Sequence, residues 1–215
     1  TFDNATSCSS ENSVIIVDAI YDKAIDALKD EGGSLLNTEE KQKLQNSLWI
    51  QGRLNPDLIA KSAPEIAAAI GLQLPKMKKI KMLMVEETGT GRKYPFSGEK
   101  LSPVLAVYRV SNFEEACQQV REIYDFQGKG HSVGLHSQDE SRPLLMGLNL
   151  PACRVIVNQA HCFATGGSFE NGMPFSLSMG CGTWGGNSIS ENLNYRHYLN
   201  IVRIVHPISP VESSD

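Results

Sequence analysis

The most restrictive feature of this sequence is an alternation of branched apolar runs with segments of helical hydrophobic spacing. The run Ser13–Val17 is apolar and β-branched, which is typical of a strand buried on both faces. Helical spacing follows it, and Gly32-Gly33 ends that pattern. The residues that repeat at this spacing are Ile20, Ala24, Ile25 and Leu28. The succession predicts an α/β domain with a twisted, mostly parallel sheet flanked by helices.

Further elements continue the alternation along the chain. Asn37 with Glu40 predicts a capped helix through Trp49, and an alanine-rich helix follows Pro64 and ends at Gly71. Strands are predicted over Ile80–Val85, Val104–Val110, near 132–136 and near 154–158, with a helix capped by Ser111 and Glu114 running to Phe126. A last strand is predicted over Tyr198–Val205, outside the alternation. We therefore divide the chain into a catalytic domain over 1–197 and a C-terminal strand and tail over 198–215, with a role in assembly expected for that strand.

Charge and hydropathy exclude several classes of function. The formal net charge is −4, and the one basic cluster (Lys76, Lys78, Lys79 and Lys81) precedes the apolar run Met82–Val85. We interpret it as a solvated strand entrance, with phosphate binding as the alternative. No apolar stretch reaches membrane-spanning length, and Thr1–Ser10 lacks the charged and apolar regions of a signal peptide. A cytoplasmic protein without a nucleic-acid or membrane partner is expected.

The cysteines indicate reduced thiols. They stand at positions 8, 117, 153, 162 and 181, an odd number with wide spacing and no C-x-x-C pair. His161-Cys162 with Cys153 could be imagined as a zinc site, but adjacent residues make awkward co-ligands and no second tight pair exists. We expect no metal.

Cys8 is the candidate nucleophile. It lies in a polar loop of small residues, Asn4–Asn12, directly before the first strand. Backbone N–H groups in such a loop can stabilise a thiolate and a developing oxyanion. Cys117, inside a predicted helix, and Cys153, before a predicted strand, have settings typical of structural thiols. From the residues alone, an incidental role for Cys8 remains open.

Three other features could carry chemistry. The segment Gly180–Ser188 contains G-x-G-x-x-G, but too little chain follows for a βαβ unit, so it is not a dinucleotide fingerprint. Its backbone approaches either a ligand or a packed neighbouring strand. Glu99 stands in a turn, where glutamates are usually solvated. His131 follows the double-glycine loop Gly128-Lys129-Gly130 and could be an acid–base group or a satisfied turn residue, as could His136.

Taken in order, these segments resemble the aldehyde dehydrogenase superfamily, and most closely its CoA-acylating branch. The matching segments are Thr1–Asn4 with Cys8, Ser10-Glu11 and the following strand; Glu99–Pro103, similar to the E-x-F-G-P motif; Arg154–Asn158; and Gly180–Ser188 with Ser190–Asn192. The likeness covers nearly the whole chain. It also implies that the family's N-terminal cofactor-binding domain is absent from this chain, which by itself should not transfer hydride.

The resemblance implies a role for each matching residue. Cys8 would attack an aldehyde, hydride would pass to NAD or NADP, and coenzyme A would release the acyl group as acyl-CoA. Glu99 would bind the nicotinamide ribose, with Leu101 and Pro103 completing the cofactor-binding motif. Leu101 stands where the broader superfamily has Phe, which agrees with the acylating branch. His131 would take part in catalysis, and the intact enzyme would be a homodimer or homotetramer.

The substrate implied is a short aldehyde. The stretch Phe163–Phe175 is small and polar with a few aromatic residues, and the run from Asn171 to Gly180 looks more like acylating enzymes for sulfoacetaldehyde than like those for acetaldehyde. Arg154 or Lys129 could meet an anionic head group. Two alternatives stay open: a hydrolytic aldehyde dehydrogenase that releases a free acid, and a non-catalytic assembly domain.

Overall fold

The computed structural model describes residues 2–75 and 79–209. Two of the basic-cluster lysines, Lys76 and Lys78, lie outside these residues. The described elements are, in chain order, β1 (Ser13–Val17), α1 (Tyr21–Asp30), β2 (Gly33–Leu35), α2 (Thr38–Leu48), β3 (Trp49–Ile50), β4 (Arg53–Leu54), α3 (Ala63–Ala69), β5 (Met82–Glu86), β6 (Val104–Val110), α4 (Phe113–Phe126), β7 (Val133–Leu135), α5 (Arg142–Asn149), β8 (Val155–Val157) and α6 (His161–Ala164). None of the described helices is long and apolar enough to cross a membrane.

The main sheet is parallel, with strand order β1-β6-β5-β2. In its register Val14 is opposite Val107 and Met84 is opposite Leu105. A second sheet pairs β7 with β8, also in parallel, and β3 and β4 form a small antiparallel pair. The α/β fold class with a mostly parallel sheet flanked by helices is confirmed.

Strand β6 lies inside the main sheet, and helices cover both faces of that sheet. Residues 104–108 are buried without interruption, which explains why this strand is a continuous apolar run. Alternate side chains enter different clusters: Ala106 and Tyr108 pack with the residues of α2 and α3, whereas Leu105 and Val107 pack with those of α1. Because β1 and β6 pair in parallel, the segments that precede them lie at the same end of the sheet.

The helix caps follow the sequence signals, with one correction. Asn37 and Glu40 form the predicted capping box of α2, with Asn37 Oδ1 accepting from the Glu40 N–H at 3.0 Å. For α4 the predicted cap at Ser111 is wrong by one residue. Asn112 is the N-cap, because its amide oxygen reaches the Glu115 N–H at 2.9 Å while the Glu115 carboxylate reaches back to the Ser111 N–H.

The strand predicted over Tyr198–Val205 is not formed in this single chain. A 3₁₀ turn ends at Tyr198, and residues 199–209 are irregular and exposed throughout. A strand needs a neighbour to pair its backbone N–H and C=O groups, and no strand of the described residues pairs with this segment. The apolar side chains of Ile201, Val202, Ile204 and Val205 therefore face solvent.

Candidate functional site

Cys8 lies on a tight turn just before β1. The turn is entered through a stretch with positive φ at Asp3, Asn4 and Ala5 (49°, 47° and 60°), and the Ser10 N–H donates to the Ser7 carbonyl at 2.9 Å. Cys8 is exposed, whereas the next two residues, Ser9 and Ser10, are buried. The turn is therefore anchored on one side and presents the thiol on the other.

His131 faces this thiol. Its Nε2 lies 3.3 Å from Cys8 Sγ, and its Nδ1 lies 2.6 Å from Ser132 Oγ. In the tautomer that donates Nδ1–H to Ser132, Nε2 presents its lone pair to the thiol. A nucleophile next to a base, with the base oriented by a third group, is the arrangement of nucleophilic catalysis. The structure brings together the two predicted catalytic residues.

The environment keeps the His131 imidazole neutral. Burial lowers its pKa to about 4, with further lowering by the nearby positive charge of Arg154 and by His161. At neutral pH the ring is therefore uncharged, and one of its nitrogens carries a lone pair.

This pKa predicts a loss of stability in acid. Because the folded-state pKa (about 4) lies below the ordinary value of 6.5, the unfolded chain takes up the proton first. The contribution of His131 to the free energy of unfolding is thus complete above the ordinary pKa of 6.5 and is lost as the pH falls toward 4. Urea unfolding between these limits should show a steeper decline for the wild type than for H131Q. Equal slopes in the two proteins would contradict the assignment.

The glycine-rich loop packs against the segment that carries His131. A Cβ built on Gly130 would lie 2.1 Å from the Cys181 carbonyl oxygen, and one on Gly180 would lie 2.0 Å from the Ile189 carbonyl oxygen. The close approach expected for Gly180–Ser188 is therefore to neighbouring backbone. A cavity of about 410 Å³ also borders the loop and is lined by Ser178, Met179, Gly180, Gly186, Asn187, Ser188, Ile189 and Leu193.

Replacing Gly130 with alanine should be strongly destabilising. The residue has φ of +96°, and its Cβ would overlap a backbone carbonyl that cannot move aside as a side chain would. We expect G130A to lower the free energy of unfolding by about 3 kcal/mol, from the combined strain and overpacking. Gly128 is the matched control: its φ is +97°, but a Cβ there would point into open space. G128A should cost about 1 kcal/mol in the same urea titration, and equal losses would refute the packing argument.

Glu99 stands beside the Cys8 segment, held by its neighbour. The Lys100 side chain is fully buried, and its Nζ donates to three carbonyls: Asn12 at 2.9 Å, Phe96 at 2.7 Å and Gly98 at 2.8 Å. Burial lowers the pKa of Lys100 to about 7, against the opposing attraction of Glu99 and Glu87. The lysine thus ties the glutamate turn to the strand entrance that follows Cys8.

The described residues fit a nicotinamide ribose at Glu99. Its carboxylate is exposed and accepts no hydrogen bond from the described part of the chain, while its own N–H is fixed by Gln127 Oε1 at 2.9 Å. An exposed carboxylate with free acceptor oxygens suits a pair of ribose hydroxyls. Leu101 follows with φ of +47°, and its carbonyl accepts from the Ala60 N–H. Pro103 is buried, and its carbonyl accepts from the Leu83 N–H, so its contact with a cofactor stays a prediction.

Two residues of this site were not predicted to belong to it, although His161 was considered as a zinc ligand. His161 is buried behind the thiol turn, its Nδ1 2.9 Å from the Ser9 carbonyl and its N–H donating to Glu11 Oε1. Lys100 gave no signal beyond its place inside a recognised motif.

Of the two candidate cations for an anionic substrate, Lys129 pairs with Asp125 on the surface of α4, whereas Arg154 is buried beside His131. His136 has no contact with Cys8 among the described hydrogen bonds.

Comparison with known proteins places the whole chain in one group of relatives. No family model matches the sequence. The chain is 56% identical over 209 residues to the acylating sulfoacetaldehyde dehydrogenase of Cupriavidus necator, covering 97% of this chain and 42% of that protein. It is 39% identical over 219 residues to the acylating sulfoacetaldehyde dehydrogenase of Bilophila wadsworthia, covering 100% of this chain and 47% of the relative.

A solved structure agrees with these relatives. The fold superposes on the crystal structure of an acetylating aldehyde dehydrogenase from Geobacillus thermoglucosidasius with a TM-score of 0.90 at 36% identity, covering 100% of this chain and 47% of that one. This chain therefore spans a little under half the length of these three proteins.

Proposed function

We propose that this chain, which belongs to the CoA-acylating aldehyde dehydrogenases, carries the nucleophile and the acyl-transfer site of that reaction. A short aldehyde, coenzyme A and NAD or NADP in the oxidised form would give an acyl-CoA through a thioester on Cys8. The observation that carries the proposal is the distance of 3.3 Å between Cys8 Sγ and His131 Nε2.

Addition to the aldehyde uses these two groups. Cys8 Sγ forms a bond to the carbonyl carbon, its proton passes to His131 Nε2, and the electron pair of the C=O bond moves to oxygen. Because the buried imidazole has a lowered pKa, it gives the proton up readily to that oxygen. The product of this step is a thiohemiacetal on Cys8.

Oxidation needs a cofactor held near this adduct. Bound NAD or NADP would supply the hydride acceptor, and loss of a hydride from the adduct carbon together with the hydroxyl proton turns the thiohemiacetal into the thioester. Glu99 would hold its ribose, and Leu101, on the turn that Lys100 fixes against the Cys8 segment, would contact the nicotinamide. What the chain contributes here is alignment, because the backbone of Lys100 also donates to Asn12 Oδ1 at 3.1 Å.

Release of the acyl group completes the cycle. The coenzyme A thiol gives its proton to His131 Nε2, and its sulfur bonds to the thioester carbonyl carbon. The bond from that carbon to Cys8 Sγ then breaks, and the departing Cys8 thiolate takes the proton from His131. Attack by water in place of coenzyme A would give a free acid, so the requirement for coenzyme A separates the acylating reaction from the hydrolytic one.

The finer assignments are also part of the proposal. Two relatives are named as acylating sulfoacetaldehyde dehydrogenases, which favours sulfoacetaldehyde among short aldehydes. The exposed apolar residues 199–209 suit assembly into a homodimer or homotetramer. The five cysteines are free, as expected in the cytoplasm.

The test uses a protein of the family's length that carries this sequence. Nicotinamide reduction is followed with sulfoacetaldehyde and acetaldehyde, each with and without coenzyme A. We expect turnover that requires coenzyme A and is fastest with sulfoacetaldehyde. Turnover without coenzyme A would assign the hydrolytic reaction instead. Absence of turnover with every aldehyde, in protein that binds the cofactor, would favour a non-catalytic domain.

A further inference from the structure

We propose that Arg154 is a positioning residue for the Cys8–His131 pair: its guanidinium joins the backbone at His131 to the glycine-rich loop and so holds the His131 ring at the Cys8 thiol. The inference rests on the proposed role of Cys8 as nucleophile. It assigns to Arg154 a task other than the binding of an anionic substrate.

The contacts of Arg154 converge from separate segments. Its Nη1 donates to the carbonyl of His131 at 3.1 Å and to the carbonyl of Gly180 at 2.9 Å, and its Nε donates to Asn192 Oδ1 at 2.9 Å. One rigid, planar group thus fixes the residue that carries the base against the loop behind it. Arg154 is 6% exposed, so these bonds form away from competing water.

Asn192 extends this arrangement toward the segment expected beside the substrate. It is 1% exposed, and its Nδ2 donates to the Thr165 carbonyl at 2.9 Å and to the Pro174 carbonyl at 2.8 Å. Through Asn192, Arg154 therefore also fixes the position of the segment from Thr165 to Pro174 relative to His131. The network is buried, so removal of one member leaves the others without partners.

The charge of Arg154 is not balanced by a carboxylate. A buried arginine is ordinarily paired with an acidic side chain. In the described residues, Arg154 forms no ion pair, and its Nη2 is buried without a hydrogen-bond partner. Its positive charge is therefore left to act on neighbouring groups, of which the His131 ring is one.

This charge affects the proton affinity of His131. The Cys8 thiol and the Ser132 hydroxyl contact the His131 ring, and Arg154 and His161 act on it electrostatically. Arg154 lowers the pKa of His131. A proton taken from Cys8 is then held weakly by the imidazole and passes on to the aldehyde oxygen, which completes the addition.

Three variants separate charge from geometry. R154Q removes the charge, R154K keeps the charge but loses the planar fork, and N192A keeps the arginine but removes the acceptor of its Nε. R121Q is the control, because Arg121 donates to the Asn149 carbonyl on the surface, outside the site. Two readouts apply to this chain: the rate at which a short acetyl thioester acylates Cys8, measured by mass spectrometry, and the titration midpoint of His131, measured by NMR.

We expect R154Q to slow acylation of Cys8 at least 10-fold and to raise the His131 midpoint, whereas R121Q matches the wild type in both. R154K should keep the low midpoint and recover only part of the rate. N192A should slow acylation without raising the midpoint, which a general loss of structure would not do. These last two variants decide the matter if R154Q does not fold.

The result that would overturn the inference is a wild-type rate and a wild-type His131 midpoint in folded R154Q, or wild-type rates in both R154K and N192A. A wild-type chain in which Cys8 is not acylated at all would instead refute the proposed function. In that case the His131 midpoint in R154Q still reports whether the arginine charge acts on the ring.

Discussion

Replacing Cys8 with serine should reduce acyl transfer by a factor of at least about 10³, the largest effect of any single substitution in this chain. Serine preserves the size and place of the nucleophile but holds its proton far more tightly than a thiol. The neighbouring His131 cannot compensate, since a base whose pKa is lowered to about 4 is too weak to activate a hydroxyl at neutral pH. A thiol gives up its proton to a far weaker base than a hydroxyl requires.

The measurement is the mass of the chain after incubation with a short acetyl thioester, with peptide mapping to locate the adduct. In the wild type the acyl group should be found on Cys8, and in C8S it should be missing. Cys117→Ala is the control, because this thiol is buried in α4 and has its pKa raised by burial. An adduct that forms in C8S at the wild-type rate would show that another cysteine is the nucleophile.

Replacing Lys100 with methionine should lower the free energy of unfolding by about 3 kcal/mol, because three buried carbonyl acceptors lose their shared donor. The loss of stability in K100M would be larger if burying the charged ammonium of Lys100 carried no desolvation penalty. Methionine removes that desolvation penalty while filling a similar volume, so part of the loss is recovered. Acylation of Cys8 should also slow, because Lys100 holds the Asn12 carbonyl just beyond the thiol turn.

Urea unfolding at neutral pH measures the first effect, and thioester acylation in the absence of denaturant measures the second. Lys81→Met is the matched control: its ammonium is exposed and lies 3.5 Å from the Glu31 carboxylate, a surface pair worth about 0.5 kcal/mol at most. Equal stability of K100M and K81M would mean that the three carbonyls find other donors, and the proposed link between the Glu99 turn and the Cys8 turn would fail.

The sequence was sufficient to predict the elements whose side chains are buried on both faces. Strand β6 begins and ends at the predicted residues, Val104 and Val110, because an uninterrupted apolar run admits few other structures. The cap of α4 was misplaced, since Ser111 and Asn112 are both good N-caps and only the reach of the asparagine side chain decides between them. The strand near the C-terminus was predicted from composition, which does not supply a pairing partner.

For the site, the sequence identified residues that could react but did not show that they lie close together. Cys8 and His131 are 123 positions apart, and no local pattern states that their side chains lie within contact. The buried Lys100 contradicts the usual rule for lysine, and only the three converging carbonyls explain it. His161 stands behind the thiol turn through a contact that spans 152 positions.

Cys8 and His131 lie in segments that lead into different sheets. Cys8 precedes β1 of the main sheet, and His131 precedes β7 of the smaller one. Their separation of 3.3 Å is therefore set by how the two sheets are aligned, not by either sheet alone. The reactivity of the Cys8 thiol therefore depends on the alignment of the two sheets. We expect a perturbation that shifts one sheet against the other by about an ångström to slow chemical labelling of Cys8 while the helical content and each sheet stay intact. The labelling rate would then detect a misalignment that circular dichroism does not.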